Sequence, residues 1–188
     1  MVFENPKCVF IHIPKTGGTS IAMKLGAFTE ARRGVQDHRT LRVLLRAHPG
    51  ELQDHYKFTF VRNPWARAYS WYRNVMRDRA FQQEYQVGPD WSLKRFLLER
   101  PDNWALRPQM DWITDDEGGI PLNFIGKYER LAEDFRQVAR ELGLADATLP
   151  RSNVGDGSDY REHYDKELRD IVAQRYQMEI ARFGYTFD

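Results

Sequence analysis

An apolar run, Cys8-Val9-Phe10-Ile11-His12-Ile13, is followed at once by Pro14-Lys15-Thr16-Gly17-Gly18-Thr19-Ser20. The run is β-branched and aromatic with little alternation, the pattern of a strand covered on both faces of a parallel sheet, and Pro14 ends it. From Thr19 to Phe28, apolar residues at Ile21, Met23, Leu25 and Phe28 predict a helix. A glycine loop between strand and helix places its backbone N–H groups at the positive end of a helix dipole, a natural seat for an anion. Gly17 and Gly18 let the main chain approach such a group without a Cβ in the way. Thr16, Thr19 and Ser20 can add hydroxyl donors, and Lys15 a mobile positive charge. A plainer reading, a turn capped by Thr19, stays open at this point. The lysine precedes the glycines, whereas in the common nucleotide loop Gly-x-x-x-x-Gly-Lys-Ser/Thr it follows them.

The same alternation recurs along the chain. Thr40 to Ala47 reads as a helix with Thr40 as its cap, closed by Pro49-Gly50. Lys57 to Val61 reads as a second strand, stopped by Arg62-Asn63-Pro64, and Pro64 is placed to start a long helix striped by Trp65, Tyr69, Tyr72 and Met76. The aromatic stretch from Arg79 to Gly119 is broken at Gly88-Pro89, Arg100-Pro101 and Arg107-Pro108. It holds a short helix near Leu93 to Glu99 and suits a lid or acceptor wall. A third strand is expected over Leu122 to Gly126, then a helix from Glu129 to Leu142 with Gly143 behind it. One long amphipathic helix is expected from Tyr160 through Phe183, with Asp159 as cap. The fold class that follows is α/β: a single P-loop-like domain over residues 1–188 with a central parallel sheet flanked by helices.

Composition narrows the function. A chain of 188 residues with 41% hydrophobic and 29% charged side chains is globular, and no apolar window is long enough for a membrane span. No basic segment precedes a long apolar core at the N-terminus, so a cytoplasmic location is the expectation. Lys and Arg number 28 against 27 Asp and Glu, a net +1, which does not suit a nucleic-acid binder, so anion binding must be local. Arg32-Arg33, Arg39, Arg42 and Arg46, and again Arg62, Arg67, Arg73, Arg77 and Arg79, cluster, but such runs alone read as solvated helix faces. Cys8, the one cysteine, reads as a buried inert thiol. No metal-ligand cluster is apparent, and Asp156-Gly157-Ser158-Asp159 reads as a turn rather than a calcium loop.

Ligands of open parallel sheets bind beyond the carboxyl ends of the strands, so Arg62 and the lysine loop are expected at one crevice. Ser70 lies about two turns along the following helix. A guanidinium and a hydroxyl suit a second, separate phosphate. Two anion sites after successive strands call for a ligand with phosphates at both ends of a nucleoside.

Here a family resemblance appears. Pro14-Lys15-Thr16-Gly17-Gly18-Thr19-Ser20 resembles the 5′-phosphosulfate loop of sulfotransferases, and Arg62 with Ser70 resembles their 3′-phosphate motif. The likeness is to the carbohydrate 2-O-sulfotransferase branch and its small bacterial relatives. It extends through Phe58-Thr59-Phe60-Val61-Arg62-Asn63-Pro64-Trp65, Ile125-Gly126-Lys127-Tyr128-Glu129-Arg130-Leu131, Asp134-Phe135 and Phe183-Gly184-Tyr185. Leu149-Pro150-Arg151-Ser152-Asn153 resembles a loop near the nucleotide in that family.

The resemblance implies transfer of a sulfuryl group from 3′-phosphoadenosine 5′-phosphosulfate to an acceptor hydroxyl or amine, leaving adenosine 3′,5′-bisphosphate; because a sulfuryl group carries less charge than a terminal phosphate, no metal is expected. The acceptor is a saccharide or a small metabolite. Lys15 is expected to answer charge on the departing phosphate oxygen. Of the five histidines, His12 reads as a sheet residue and His48, His55 and His163 as exposed. His38 falls where the family places its base, with Asp37 a candidate to orient it and Glu117 a fallback base. Trp65, Trp71, Trp91, Trp104 and Trp112 can stack a sugar, though core packing is the commoner use. Two other readings make different demands. A small kinase needs a lysine after the glycines and acidic magnesium ligands, and a non-catalytic anion or sulfoglycan-binding module needs no base.

Overall fold

The computed structural model describes residues 1–27, 36–150 and 158–188. Phe28, Arg32-Arg33, Arg151-Ser152-Asn153 and Asp156-Gly157 lie outside the described residues. In chain order the elements are β1 (Val2–Glu4), β2 (Lys7–Ile11), α1 (Gly18–Lys24), α2 (Leu41–Ala47), β3 (Tyr56–Val61), α3 (Pro64–Arg77), α4 (Arg79–Glu84), α5 (Leu93–Glu99), α6 (Met110–Ile113), β4 (Phe124–Lys127), α7 (Leu131–Glu141), α8 (Lys166–Arg175) and α9 (Gln177–Phe183). Two compact units result, one from the described residues of Met1–Arg62 and Gln109–Val154, the other from those of Asn63–Pro108 and Gly155–Asp188.

In the first unit the strands lie in the order β1-β2-β3-β4, and β2, β3 and β4 run parallel. Phe10 pairs with Phe58, and Phe58 with Phe124. Alternation along β2 and β3 sends Cys8, Phe10, Phe58 and Phe60 to one face, where Ile21, Ala22 and Leu25 of α1 and Phe135, Val138 and Ala139 of α7 cover them. Val9, Ile11, Thr59 and Val61 on the opposite face are fully buried too. Burial on both faces explains why the strands carry no polar alternation. Gly126 in β4 makes room for a neighbour, since a Cβ there would stand 2.4 Å from the Phe60 ring. Cys8 is buried, and burial pushes its thiol up to about 12.

β1 was not expected. It is a three-residue edge strand antiparallel to β2, too short for a periodicity to register. β2 ends at Ile11, so His12 stands just past the strand rather than in it. The third strand lies at Phe124–Lys127, two residues beyond the expected start, and a 3-10 turn at Tyr128–Arg130 precedes α7. Thr40 caps α2 as expected, its side chain accepting from the Val43 N–H.

The second unit is built on α3. Asn63 caps it by accepting from Trp65 and Ala66 N–H, and Pro64 opens it. Trp65, Tyr69 and Val75 face a core that also takes Val87, Trp91, Leu93, Phe96 and Leu97, so much of the stretch read as a lid is core. Arg67 departs from the solvated-face reading. It is 1% exposed, and its guanidinium donates to the carbonyls of Ala105 and Arg107, both at 2.7 Å. The expected single C-terminal helix is instead a 3-10 turn at Tyr160–His163 followed by α8 and α9. Asp159 caps only the turn, through the Arg161 N–H, while Asp165 caps α8 through the Leu168 N–H. Four of the five tryptophans are buried, and Trp104 is 37% exposed.

Candidate active site

The loop after β2 is shaped by its own residues. Lys15 has φ 68° and Gly17 φ 81°, while Thr16 between them keeps a negative φ. Alternating left- and right-handed positions are the backbone arrangement from which anion-binding concavities are made. A lysine in the left-handed region is uncommon, and such strain gathers at functional sites. Thr16 is buried, and its hydroxyl donates to the Ile13 carbonyl at 2.9 Å, so it shapes the loop from within. Thr19 Oγ1 accepts from Gln36 Nε2 at 3.0 Å, and the Ser20 N–H donates to the Gly17 carbonyl at 3.2 Å. Pro14 and Ser20 are buried and Lys15 is half-buried.

Both glycines have packing reasons as well as ligand access. A Cβ on Gly17 would stand 2.8 Å from Leu131 Cδ2, and one on Gly18 would fall 2.0 Å from His12 Cδ2. Neither position takes a side chain without displacing a neighbour.

Arg62 leaves the end of β3 and reaches the loop: its Nη1 donates to the Lys15 carbonyl at 3.1 Å. Its guanidinium also stacks 4.1 Å over the Tyr128 ring, and that ring borders Gly17. The main chain of Arg62 is held by Gln109, whose side chain accepts from the Arg62 N–H and donates to the Arg62 carbonyl, both at 2.8 Å. Gln109 is fully buried. The register Ile11–Thr59 brings the ends of β2 and β3, the two inner strands, side by side, so the lysine loop and Arg62 meet beyond their carboxyl ends. Gln109 and Tyr128 were not singled out in the sequence. Ser70 belongs to the second unit, half-exposed on α3.

His38 lies in the first unit, half-buried, with its Nδ1 2.8 Å from the His12 carbonyl. A carbonyl can only accept, so Nδ1 carries the proton, and the basic lone pair of the neutral ring sits on Nε2. The ring packs 4.3 Å from that of His12, with the edge of Trp112 at 6.2 Å. Burial lowers the His38 pKa, against the opposing pull of the His12 hydrogen bond and the Asp37 charge, which keeps the ring neutral near pH 7. The expected orienter, Asp37, is engaged elsewhere. Its carboxylate accepts from Arg39 Nε at 2.9 Å and Nη2 at 2.7 Å, and the Met1 amino group stands 3.5 Å away. Burial would raise the Asp37 pKa, but these cations outweigh it and hold the carboxyl well below its usual range.

The other candidate bases are placed differently. Glu117 is exposed in a turn, its N–H donating to Asp115 Oδ1. His48 is half-buried beside Glu51, and His163 is exposed and stacked on Tyr69 at 4.5 Å. His55 corrects the expectation of exposure: it is 4% exposed, with Glu4 Oε1 3.4 Å from its Nε2. Among the described residues no group of three or more His, Cys, Asp or Glu gathers as metal ligands, and no helix is long and apolar enough to cross a membrane.

The sequence profile of the sulfotransferase family matches residues 1–186. This chain belongs to the sulfotransferase family. Carbohydrate sulfotransferase 14 of Danio rerio is 26% identical over 226 aligned residues, covering 98% of this chain and 61% of its own length. The Homo sapiens protein of the same name is 32% identical over 127 residues, 54% of this chain and 34% of its own length. An uncharacterized protein of Archaeoglobus fulgidus is 32% identical over 111 residues, 56% of this chain and 82% of its own. The chain thus spans less than two thirds of either carbohydrate sulfotransferase. No solved structure matches it. The mostly parallel α/β sheet, with its glycine loop behind β2, fits the P-loop-like arrangement of a sulfotransferase.

Proposed function

We propose that this sulfotransferase takes the sulfuryl group of 3′-phosphoadenosine 5′-phosphosulfate and passes it to an acceptor hydroxyl. The observation that carries the reading is the Arg62 hydrogen bond to the Lys15 carbonyl, which joins the two anion-binding motifs. In this reading Pro14 to Ser20 hold the phosphosulfate end through loop amides and the hydroxyls of Thr19 and Ser20. Arg62 and Ser70 take the 3′-phosphate. The donor supplies a sulfuryl group already activated by a phosphate leaving group.

His38 Nε2 accepts the acceptor's proton as the acceptor oxygen bonds to sulfur. The sulfur–oxygen bond to the 5′-phosphate breaks in line, and Lys15 answers the charge on the departing oxygen. The products are a sulfate ester and adenosine 3′,5′-bisphosphate. The names of the Danio rerio and Homo sapiens relatives point to a carbohydrate acceptor. Trp104, partly exposed, offers a face of the kind sugars stack on.

Calorimetric titration tests the donor. Adenosine 3′,5′-bisphosphate is expected to bind more tightly than ATP with magnesium, and tighter ATP binding would favour a kinase instead. Arg62→Ala should reduce affinity for the bisphosphate more than for adenosine 5′-phosphate, by about tenfold or more, because a charge-assisted bond to phosphate is worth roughly 1.5–3 kcal/mol. Equal losses for the two nucleotides would remove the 3′-phosphate from Arg62.

A further inference from the structure

His12 takes no part in the chemistry above, yet it touches both halves of it. Its side chain is 2% exposed, stacks on Phe10 at 5.5 Å and packs at a 40° tilt against the His38 ring at 4.3 Å. Its ring edge, Cδ2 and Nε2, fills the space a Cβ on Gly18 would need, 2.0 and 2.2 Å away. Its carbonyl is the acceptor for His38 Nδ1. Its own Nδ1 has no hydrogen-bond partner among the described residues. Native structures rarely leave a buried nitrogen so. A hydrocarbon ring would pack between Phe10 and His38 without that cost, so the imidazole here calls for a role.

We propose that His12 is a positioning residue that ties the base to the phosphate loop: its main chain fixes the His38 tautomer, and its ring encloses His38 while seating Gly18. The inference rests on reading His38 as the base. Burial lowers the His12 pKa well below the ordinary imidazole range, and the charges of His38, the Met1 amino group and Lys15 push the same way against Asp37. Arg39, next to His38 in the chain, is paired with Asp37. His12 therefore stays neutral while His38 takes up a proton, and the new imidazolium does not meet a second positive charge 4.3 Å away. The same enclosure holds His38 ready as a neutral base. Opening it to water should let the His38 pKa rise.

The test is 15N-edited NMR titration of the histidine side chains in the free protein, paired with pH profiles of kcat/KM for bisphosphate release. In the wild type, His38 is expected as the Nδ1–H tautomer and to titrate below about 6.5, while His12 stays neutral over that range. In His12→Ala the His38 pKa should rise, the acid limb of kcat/KM should move up with it, and kcat should fall about ten- to a hundredfold as the base loses its seat. An unchanged His38 pKa and acid limb in His12→Ala, or a wild-type His38 protonated on Nε2, would overturn the inference.

Gly18→Ala, whose methyl overlaps the His12 ring, keeps the test decisive if His12→Ala does not fold. It should shift the His38 titration, and an unmoved His38 would count against the link. A protein that shows these titrations but releases no bisphosphate with any acceptor rejects the proposed function and keeps the pair. Release with His38 indifferent to His12 rejects the pair alone.

Discussion

Lys15 combines three properties at one position: a left-handed backbone, partial burial, and a carbonyl that accepts from Arg62. The main chain of Lys15 carries the bond from Arg62, so Lys15→Ala removes the charge and keeps that bond. Lys15→Ala should lower kcat by about a hundred- to a thousandfold, the usual cost of removing one charge-stabilising group, with the unfolding midpoint nearly unchanged. A large loss of stability instead would give the ammonium a folding role.

As the proposed base, His38 should set the pH dependence. Its pKa is lowered in the fold, so the base is competent above that pKa, and kcat/KM should be flat near neutrality and fall only below pH about 6.5. Stability follows the same sign. The unfolded chain takes protons on His12 and His38 that the folded chain refuses, so stability present above about pH 6.5 declines as the pH drops below it. The meeting of the Lys15 loop with Arg62 was legible in the sequence because each directly follows an apolar strand run. His12 was not, because a histidine closing an apolar run looks like a sheet residue. Asp37, a candidate orienter, meets Arg39 and the Met1 amino group instead, since adjacency in sequence does not fix where a carboxylate points.

At the level of elements, the site depends on strand ends held in place by side chains rather than by further ladder bonds. Gln109 supplies both missing partners to the main chain of Arg62. Gln109→Leu takes the amide partner from the part-buried N–H and carbonyl of Arg62 and should cost up to about 1–3 kcal/mol per group, with nucleotide affinity falling alongside. Chemical denaturation with and without the bisphosphate measures both effects. A variant of unchanged stability would mean that water replaces the amide.

The parallel strands were readable because they are buried on both faces, and α2 because Thr40 and Pro49 mark its ends. The C-terminal helix was read too long. Its apolar residues keep helical spacing across Tyr164 and Tyr176, but Tyr164 is extended, with its hydroxyl on the Trp65 carbonyl, and Asp165 starts a new helix. Periodicity reports which side is buried, not whether the axis is continuous.

For the molecule as a whole, a net charge of +1 leaves recognition to local groups, and in the proposed site these are Lys15 and Arg62, which meet beyond the ends of β2 and β3. The second unit carries four of the five tryptophans, three of them as core, which is why their number alone said little about an acceptor. The central claim is sulfuryl transfer with His38 as base. Its most direct measurement is acceptor-dependent release of adenosine 3′,5′-bisphosphate from the phosphosulfate donor, compared between wild type and His38→Ala across a panel of saccharides. Release matched one for one by sulfated saccharide, reduced about a hundredfold or more in His38→Ala while bisphosphate affinity is kept, is the predicted result. Undiminished release in His38→Ala, or none from the wild type with any acceptor, would contradict it.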